Sequence, residues 1–251
     1  MNTKFTYIQF PLFILRKAHE DFDLMVEYIL AYGIYQKSLK ESESGSKPFS
    51  MTLGLEYLNL PKLSDETLDK MKLMAKTTEG YRDEFITPKG KAYPMPNIKV
   101  QLLQGLLKEK PSQKKIDEFL AYVSVQSIVG KRKYFKTNNK HVLARMMGFS
   151  SFSELDVYGL ENLSPHLQEL YSRYLVRGKN EISKSRMKTL FNKLMNKWRV
   201  IKVTQDTRGY YVGMQDKVTA TELANVIRKQ KRKNKAKEIE REFKMALKIA
   251  S

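Results

Sequence analysis

The sequence predicts a mainly α protein with a small β-hairpin near its C-terminal end. Three observations carry that prediction. Apolar residues recur at spacings of three and four over most of the chain, the period of one helix face. Two β-prone runs, Val200–Thr204 and 210–212, flank a turn at 205–209 that holds Asp206, Arg208 and Gly209. The formal charge of +19 is uneven: residues 1–110 hold 16 Lys and Arg against 14 Asp and Glu, while the last 73 residues hold 20 against 7. A polyanionic partner is therefore expected at the C-terminal end.

Residues 1–110 read as a helical N-terminal domain of nearly neutral charge. Phe22, Met25, Val26, Ile29, Leu30 and Gly33 predict an amphipathic helix ending around Leu39. Asp21 and Asp23 lie at its start and Lys37 and Lys40 near its end, the sense a helix dipole favours. Residues 41–48 form a polar loop with Gly and Pro, and 49–60 are apolar without a clear period. Ser64 starts another helix, with Leu68, Met71 and Met74 on its inner face. Pro88, Gly90, Pro94 and Pro96 break any regular element over 87–97. A short helix over 98–108 ends near Pro111.

Residues 111–216 form the second unit. Ile116, Phe119, Leu120, Val123 and Ile128 give a helix with one apolar face. The basic segment 130–136 is a turn or short strand, and its Tyr134 and Phe135 are either core residues or a platform for a base. Residues 141–155 have a helix-turn-helix pattern: small Ala144, then Gly148 suited to a left-handed turn, then Ser151 and Glu154 as a capping box. Ordinary packing of two helices gives the same pattern. A further helix spans 162–178, with Ser164 as cap, Pro165 in the first turn and Gly178 as stop. The next begins after Ser183.

Met187, Leu190, Phe191, Leu194 and Trp198 anchor that next helix. Its other side carries Ser185, Arg186, Lys188, Thr189, Asn192, Lys193 and Asn196, and no acid occurs in 183–197. The floor of a DNA major groove is read by such side chains, and its walls attract Lys and Arg. A plain solvated helix is the competing reading. The run 181–212 resembles the recognition helix and wing of winged helix-turn-helix proteins. That family includes bacterial transcription regulators and replication initiators of plasmids and mobile elements. The resemblance implies a winged-helix-like module at 111–216 that reads double-stranded DNA. Ser185, Arg186, Thr189 and Asn192 would face bases. Lys188, Lys193, Lys202 and Arg208, together with Lys131, Arg132 and Lys133, would hold phosphates. Either 141–155 or the pair 165–176 and 183–197 supplies the helices before the wing.

The remaining 217–251 is predicted as a basic C-terminal helix. Thr219 and Glu222 form a capping box, and Leu223, Val226 and Ile227 an apolar stripe. The run 228–237 is basic except at Gln230, Asn234 and Ala236, so Arg228, Lys229, Lys231, Arg232 and Lys233 are expected on phosphates. A membrane-surface helix is disfavoured because this run has no large apolar side. Ile239, Phe243, Ala246 and Leu247 would dock on the body or on a second subunit of a homodimer.

No catalytic motif, metal site or cofactor is expected. His19, His141 and His166 are far apart, and the absence of cysteine excludes disulfides and thiolate zinc sites. No signal segment or membrane span is read at 7–15, so a cytoplasmic, nucleoid-associated location is expected. The expected function is that of a non-enzymatic DNA-binding protein in transcription or replication. The alternative is a structural module that binds RNA or a protein partner.

Overall fold

Local capping decides where several of the helices begin. Asp21 accepts hydrogen bonds from the backbone N–H groups of Asp23 (2.8 Å) and Leu24 (3.3 Å). Ser183 and Ser151 do the same for Arg186 and Glu154, at 3.3 and 3.1 Å. These bonds satisfy donors that a first helical turn leaves without partners. Thr219 and Glu222 close the reciprocal box that their spacing predicts.

The computed structural model describes residues 6–17, 21–44, 48–84, 93–179, 181–204 and 209–249. In chain order the elements are β1 (Tyr7–Gln9), α1 (Ile14–Lys17), α2 (Phe22–Glu43), α3 (Met51–Leu58), α4 (Asp65–Glu84), β2 (Asn97–Lys99) and α5 (Val100–Glu109). They continue with α6 (Gln113–Val129), β3 (Tyr134–Thr137), α7 (Asn139–Met146), α8 (Phe152–Tyr158) and α9 (Pro165–Arg173). The last four are α10 (Lys184–Lys197), β4 (Val200–Thr204), β5 (Tyr210–Met214) and α11 (Ala220–Ile249). The fold is thus mainly helical with two small antiparallel sheets, of two and three strands.

The first sheet was not expected. Ile8 of β1 faces Ile98 of β2, and both are buried. Gly33 of α2 makes room for this ladder, since a Cβ there would lie 2.7 Å from the Cβ of Ile8. Helices α3 and α4 pack on α2, and the apolar segment of unclear period is α3. Its contact with α2 is tight. The buried Ser38 hydroxyl donates to Ile34 O (3.0 Å) and accepts from Gly54 N–H (3.1 Å).

The second sheet has the order β3-β5-β4. Its inner face carries Val200, Tyr210, Val212 and Met214 into a core that is continuous from Ile8 through α6 and α10. Its outer face carries Ile201 and Tyr211, which the first turns of α11 cover with Leu223 and Ile227. Beyond Ile227, residues 228–242 of α11 are all exposed. The helix α9 stops at Arg173 rather than at Gly178, because Leu175 bridges to Ile182 and turns the chain into α10. Ser164 precedes α9 but makes no capping bond with its side chain.

The α2–α3 contact gives a test. A Cβ on Gly54 would meet Ile34 O at 2.4 Å and Ser38 Oγ at 2.5 Å, whereas one on Gly80 meets nothing within 4 Å. Gly54→Ala is expected to cost about 1–3 kcal/mol, as overpacking does. Gly80→Ala, inside α4, is expected to gain up to about 1 kcal/mol. Thermal melting of the two variants against the parent reads both signs.

Candidate nucleic-acid interface

Helix α10 buries Met187, Leu190, Phe191 and Leu194, as the 3.6-residue period requires. Its exposed side is divided in two by what stands on either flank. On one flank lies an open groove of about 740 Å³ between α10, the start of α7 and the hairpin strands. Lys184, Lys188 and Asn192 line it from α10, Asn139 and Lys140 from α7, and Lys202 and Thr204 from β4. Glu181 is the one acid among the described residues of its lining.

The other flank is a shelf over α6. Ser185, Arg186, Thr189 and Lys193 face Asp117 and Glu118 there. Arg186 Nη1 donates to Arg173 O (2.6 Å), Thr189 Oγ1 donates to Ser185 O (3.1 Å), and the Ser185 and Ser183 hydroxyls lie 3.0 Å apart. Lys193 Nζ pairs with Glu118 at 3.1 Å. Asp117 accepts from Arg173 Nη2 (2.9 Å) and from the Tyr174 hydroxyl (3.1 Å). Burial, then the Asp117 charge, raises the Tyr174 phenol above its usual value, so it stays a donor. An acid-free helix thus acquires acids from its neighbour.

The seven α10 and β4 residues that the sequence singled out are therefore not one surface. Lys188, Asn192 and Lys202 share the groove, while Ser185, Arg186, Thr189 and Lys193 share the shelf. Lys131, Arg132 and Lys133 are exposed at the opposite end of β3 from the groove, with the Arg132 guanidinium 4.2 Å over the Phe135 ring. Phe135 itself packs against the core. Arg228, Lys229, Lys231, Arg232 and Lys233 are exposed along α11. Arg208 lies outside the described residues, as do the side chains of Phe243 and Leu247.

Lys140, Lys184 and Asn139 were not singled out in the sequence. A signal existed only for Lys184, which falls on the same helix as Lys188 at a spacing of four. Nothing local announces that the start of α7 faces α10 across the groove. Among the described residues no group of three His, Asp or Glu is placed to hold a metal, and no helix is long and apolar enough to cross a membrane. Comparisons of the chain with protein-family models, curated proteins and solved structures give no match.

Lys202 has the most unusual setting. In β4 it follows the alternation of Val200 and points to the inner face, where a strand normally carries an apolar residue. Its Nζ stands 4.1 Å from the ring centre of Phe191 and 4.0 Å from that of Tyr210. Burial lowers its ammonium from 10.5 to about 8. The folded chain thus binds fewer protons at this group than the unfolded chain between pH 8 and 10.5. Its charge burdens the fold fully below pH 8, and the burden fades as pH rises to 10.5. Lys202→Met keeps the stem and removes the charge. Its melting temperature is expected to exceed that of the parent at pH 7, and the difference should shrink between pH 8 and 10.5.

Proposed function

We propose that the chain is a non-enzymatic, sequence-specific binder of duplex DNA, of the transcription-regulator or replication-initiator kind. The observation that carries this reading is the groove beside α10, where Lys140, Lys184, Lys188 and Lys202 converge with Asn192 against a single acid among the described residues. Lysines set around an amide side chain on an exposed helix match a duplex, whose phosphates flank readable base edges.

Topology supports the same reading. The order α6, β3, α7, then, past α8 and α9, α10 and the β4–β5 hairpin, with the sheet order β3-β5-β4, resembles the layout of a winged helix-turn-helix unit. In this reading α8 and α9 are an insertion between its helices, 1–110 is a helical N-terminal domain that shares one core with it, and 217–251 is a basic extension. Helix α11 adds an exposed row of Lys and Arg that raises affinity without reading sequence. Self-association as a homodimer and a cytoplasmic, nucleoid-associated location belong to the same reading.

Retention of a labelled genomic fragment library at increasing salt tests it. Expected is selective retention, with a salt slope for roughly 5–8 neutralised phosphates. No retention, or retention indifferent to salt, would remove the reading. Equal competition by duplex RNA would replace it with a structural, RNA-binding role, because deep RNA grooves do not admit a helix.

The two flanks of α10 make separable predictions. Asn192→Ala is expected to lose about 1–3 kcal/mol on the selected site while leaving binding to random duplex nearly intact. Lys188→Ala should weaken both alike. Arg186→Ala, already tied to Arg173, should change neither by more than about twofold, within the range of a surface substitution. Gel-shift titrations on selected and random duplexes read all three.

Removal of 228–251 takes away ten basic and three acidic residues. The truncated chain is expected to stay folded and selective but to bind with a shallower salt slope. A collapse of its melting temperature would instead make α11 part of the architecture.

A further inference from the structure

We propose that the groove contains a built seat for one phosphate-class oxyanion, with Lys202 on the faces of Phe191 and Tyr210 as its central cation and Lys188 and Lys140 at its rim. This deepens the proposed function and rests on it for the identity of the natural anion, a backbone phosphodiester.

Four observations converge on the seat. First, Lys202 is held in place. It is half-buried, and two ring faces fix its ammonium within 4.1 Å. A cation held this way leaves its remaining N–H donors pointing where no ring is, and it has no carboxylate partner among the described residues.

Second, buried polar groups without partners lie in and next to the residues that line the groove. Tyr210 is only 5% exposed, and its hydroxyl has no hydrogen-bond partner among the described residues. The same holds for Asn139 Oδ1 and Thr137 Oγ1, and Thr137 stands directly opposite Tyr210 across β3 and β5. Each unpaired buried group costs about 1–3 kcal/mol. The Tyr210 and Thr137 hydroxyls can donate to an oxyanion or to water ordered by it, whereas Asn139 Oδ1, an acceptor, is met by a water.

Third, α7 begins at the groove. Asn138 caps His141 N–H at 2.9 Å, and Asn139 and Lys140 are the first two residues of the helix, whose N–H groups have no acceptor within it. No acid lies in that first turn. Fourth, the charges facing Lys202 favour an anion. They are Lys184 and Lys188 from α10, Lys140 from α7 and Glu181 from the segment before α10. His141, next to Lys140, is held neutral at pH 7 because burial lowers it to about 4.

The seat has a built-in dependence on pH. Free, Lys202 is poised near pH 8, and an anion beside it raises that value by stabilising the charged form. Anion affinity is then constant below pH 8 and falls above it, by up to tenfold per pH unit, until the raised value is reached.

Lysine 13Cε resonances of the whole chain, with Lys202 assigned through Lys202→Arg, report this directly. The protein is titrated from pH 6.5 to 10 alone, with inorganic phosphate, and with a random-sequence 20-base-pair duplex at low salt. Expected is a Lys202 midpoint that rises by at least one pH unit with the duplex. Lys202→Met is expected to bind that duplex with a salt slope shallower by about 0.9 and without the loss of affinity above pH 8.

The outcomes separate the seat from the function it serves. Duplex binding with an unmoved Lys202 midpoint, or with a parental salt slope in Lys202→Met, overturns the seat and leaves DNA binding standing. No duplex binding, with a midpoint that phosphate alone moves, upholds the seat for a free phosphate and removes the DNA reading. A midpoint that neither probe moves overturns the seat in either case.

Discussion

Two buried carboxylates on α6 fix how α10 is turned. Asp117 and Glu118 are 7% and 5% exposed, and a buried charge without partners is very unfavourable. Their partners come from the elements whose placement matters most. Arg173 and Tyr174, at the end of α9, answer Asp117; Lys193 of α10 and the Trp198 indole N–H (3.4 Å) answer Glu118. Trp198 also packs on Tyr122 of α6, ring centres 4.9 Å apart. The rotation of α10 about its own axis is therefore set by charge pairing on one flank. The opposite flank, with Lys184, Lys188 and Asn192, is left to the groove.

The elements legible in the sequence are those whose information is local. The apolar periods of α2, α6 and α10, the capping boxes at Ser151 and Thr219, and the hairpin all depend on neighbours a few residues away. The β1–β2 ladder does not. Each strand is three residues long, and β2 lies just beyond Pro94 and Pro96, so only its remote partner makes it a strand. The end of α9 was misplaced for a related reason. Gly178 is a good stop signal, with φ of +72°, but the Leu175–Ile182 bridge ends the helix earlier.

The division of the α10 surface shows the limit of helical period most clearly. Period tells which stripe is buried, and it names the exposed residues correctly. It is silent on what each exposed residue meets. Lys188 and Lys193 look equivalent in sequence, yet one lines a cationic groove and the other pairs with Glu118. Lys202 carries the same lesson. A lysine in a strand reads as an outward residue, and only the alternation with Val200 places it on the inner face.

The short β1–β2 ladder also bears on how the chain acquires its fold. Tyr7 pairs with Lys99, so the ladder closes a loop of roughly 90 residues. Closing a loop of that length costs on the order of 4 kcal/mol of chain entropy. Three residue pairs do not supply that alone, and the burial of Ile8 against Gly33 has to contribute. During synthesis, Ile8 has no strand partner until Ile98 has emerged, although α2, α3 and α4 are by then complete. The N-terminal strand is consequently a late-joining segment. A nascent chain stopped before Asn97 lacks the strand that covers the β1 edge, with only α2 to shelter Ile8, and transiently unpaired strands of this kind are where aggregation competes with folding.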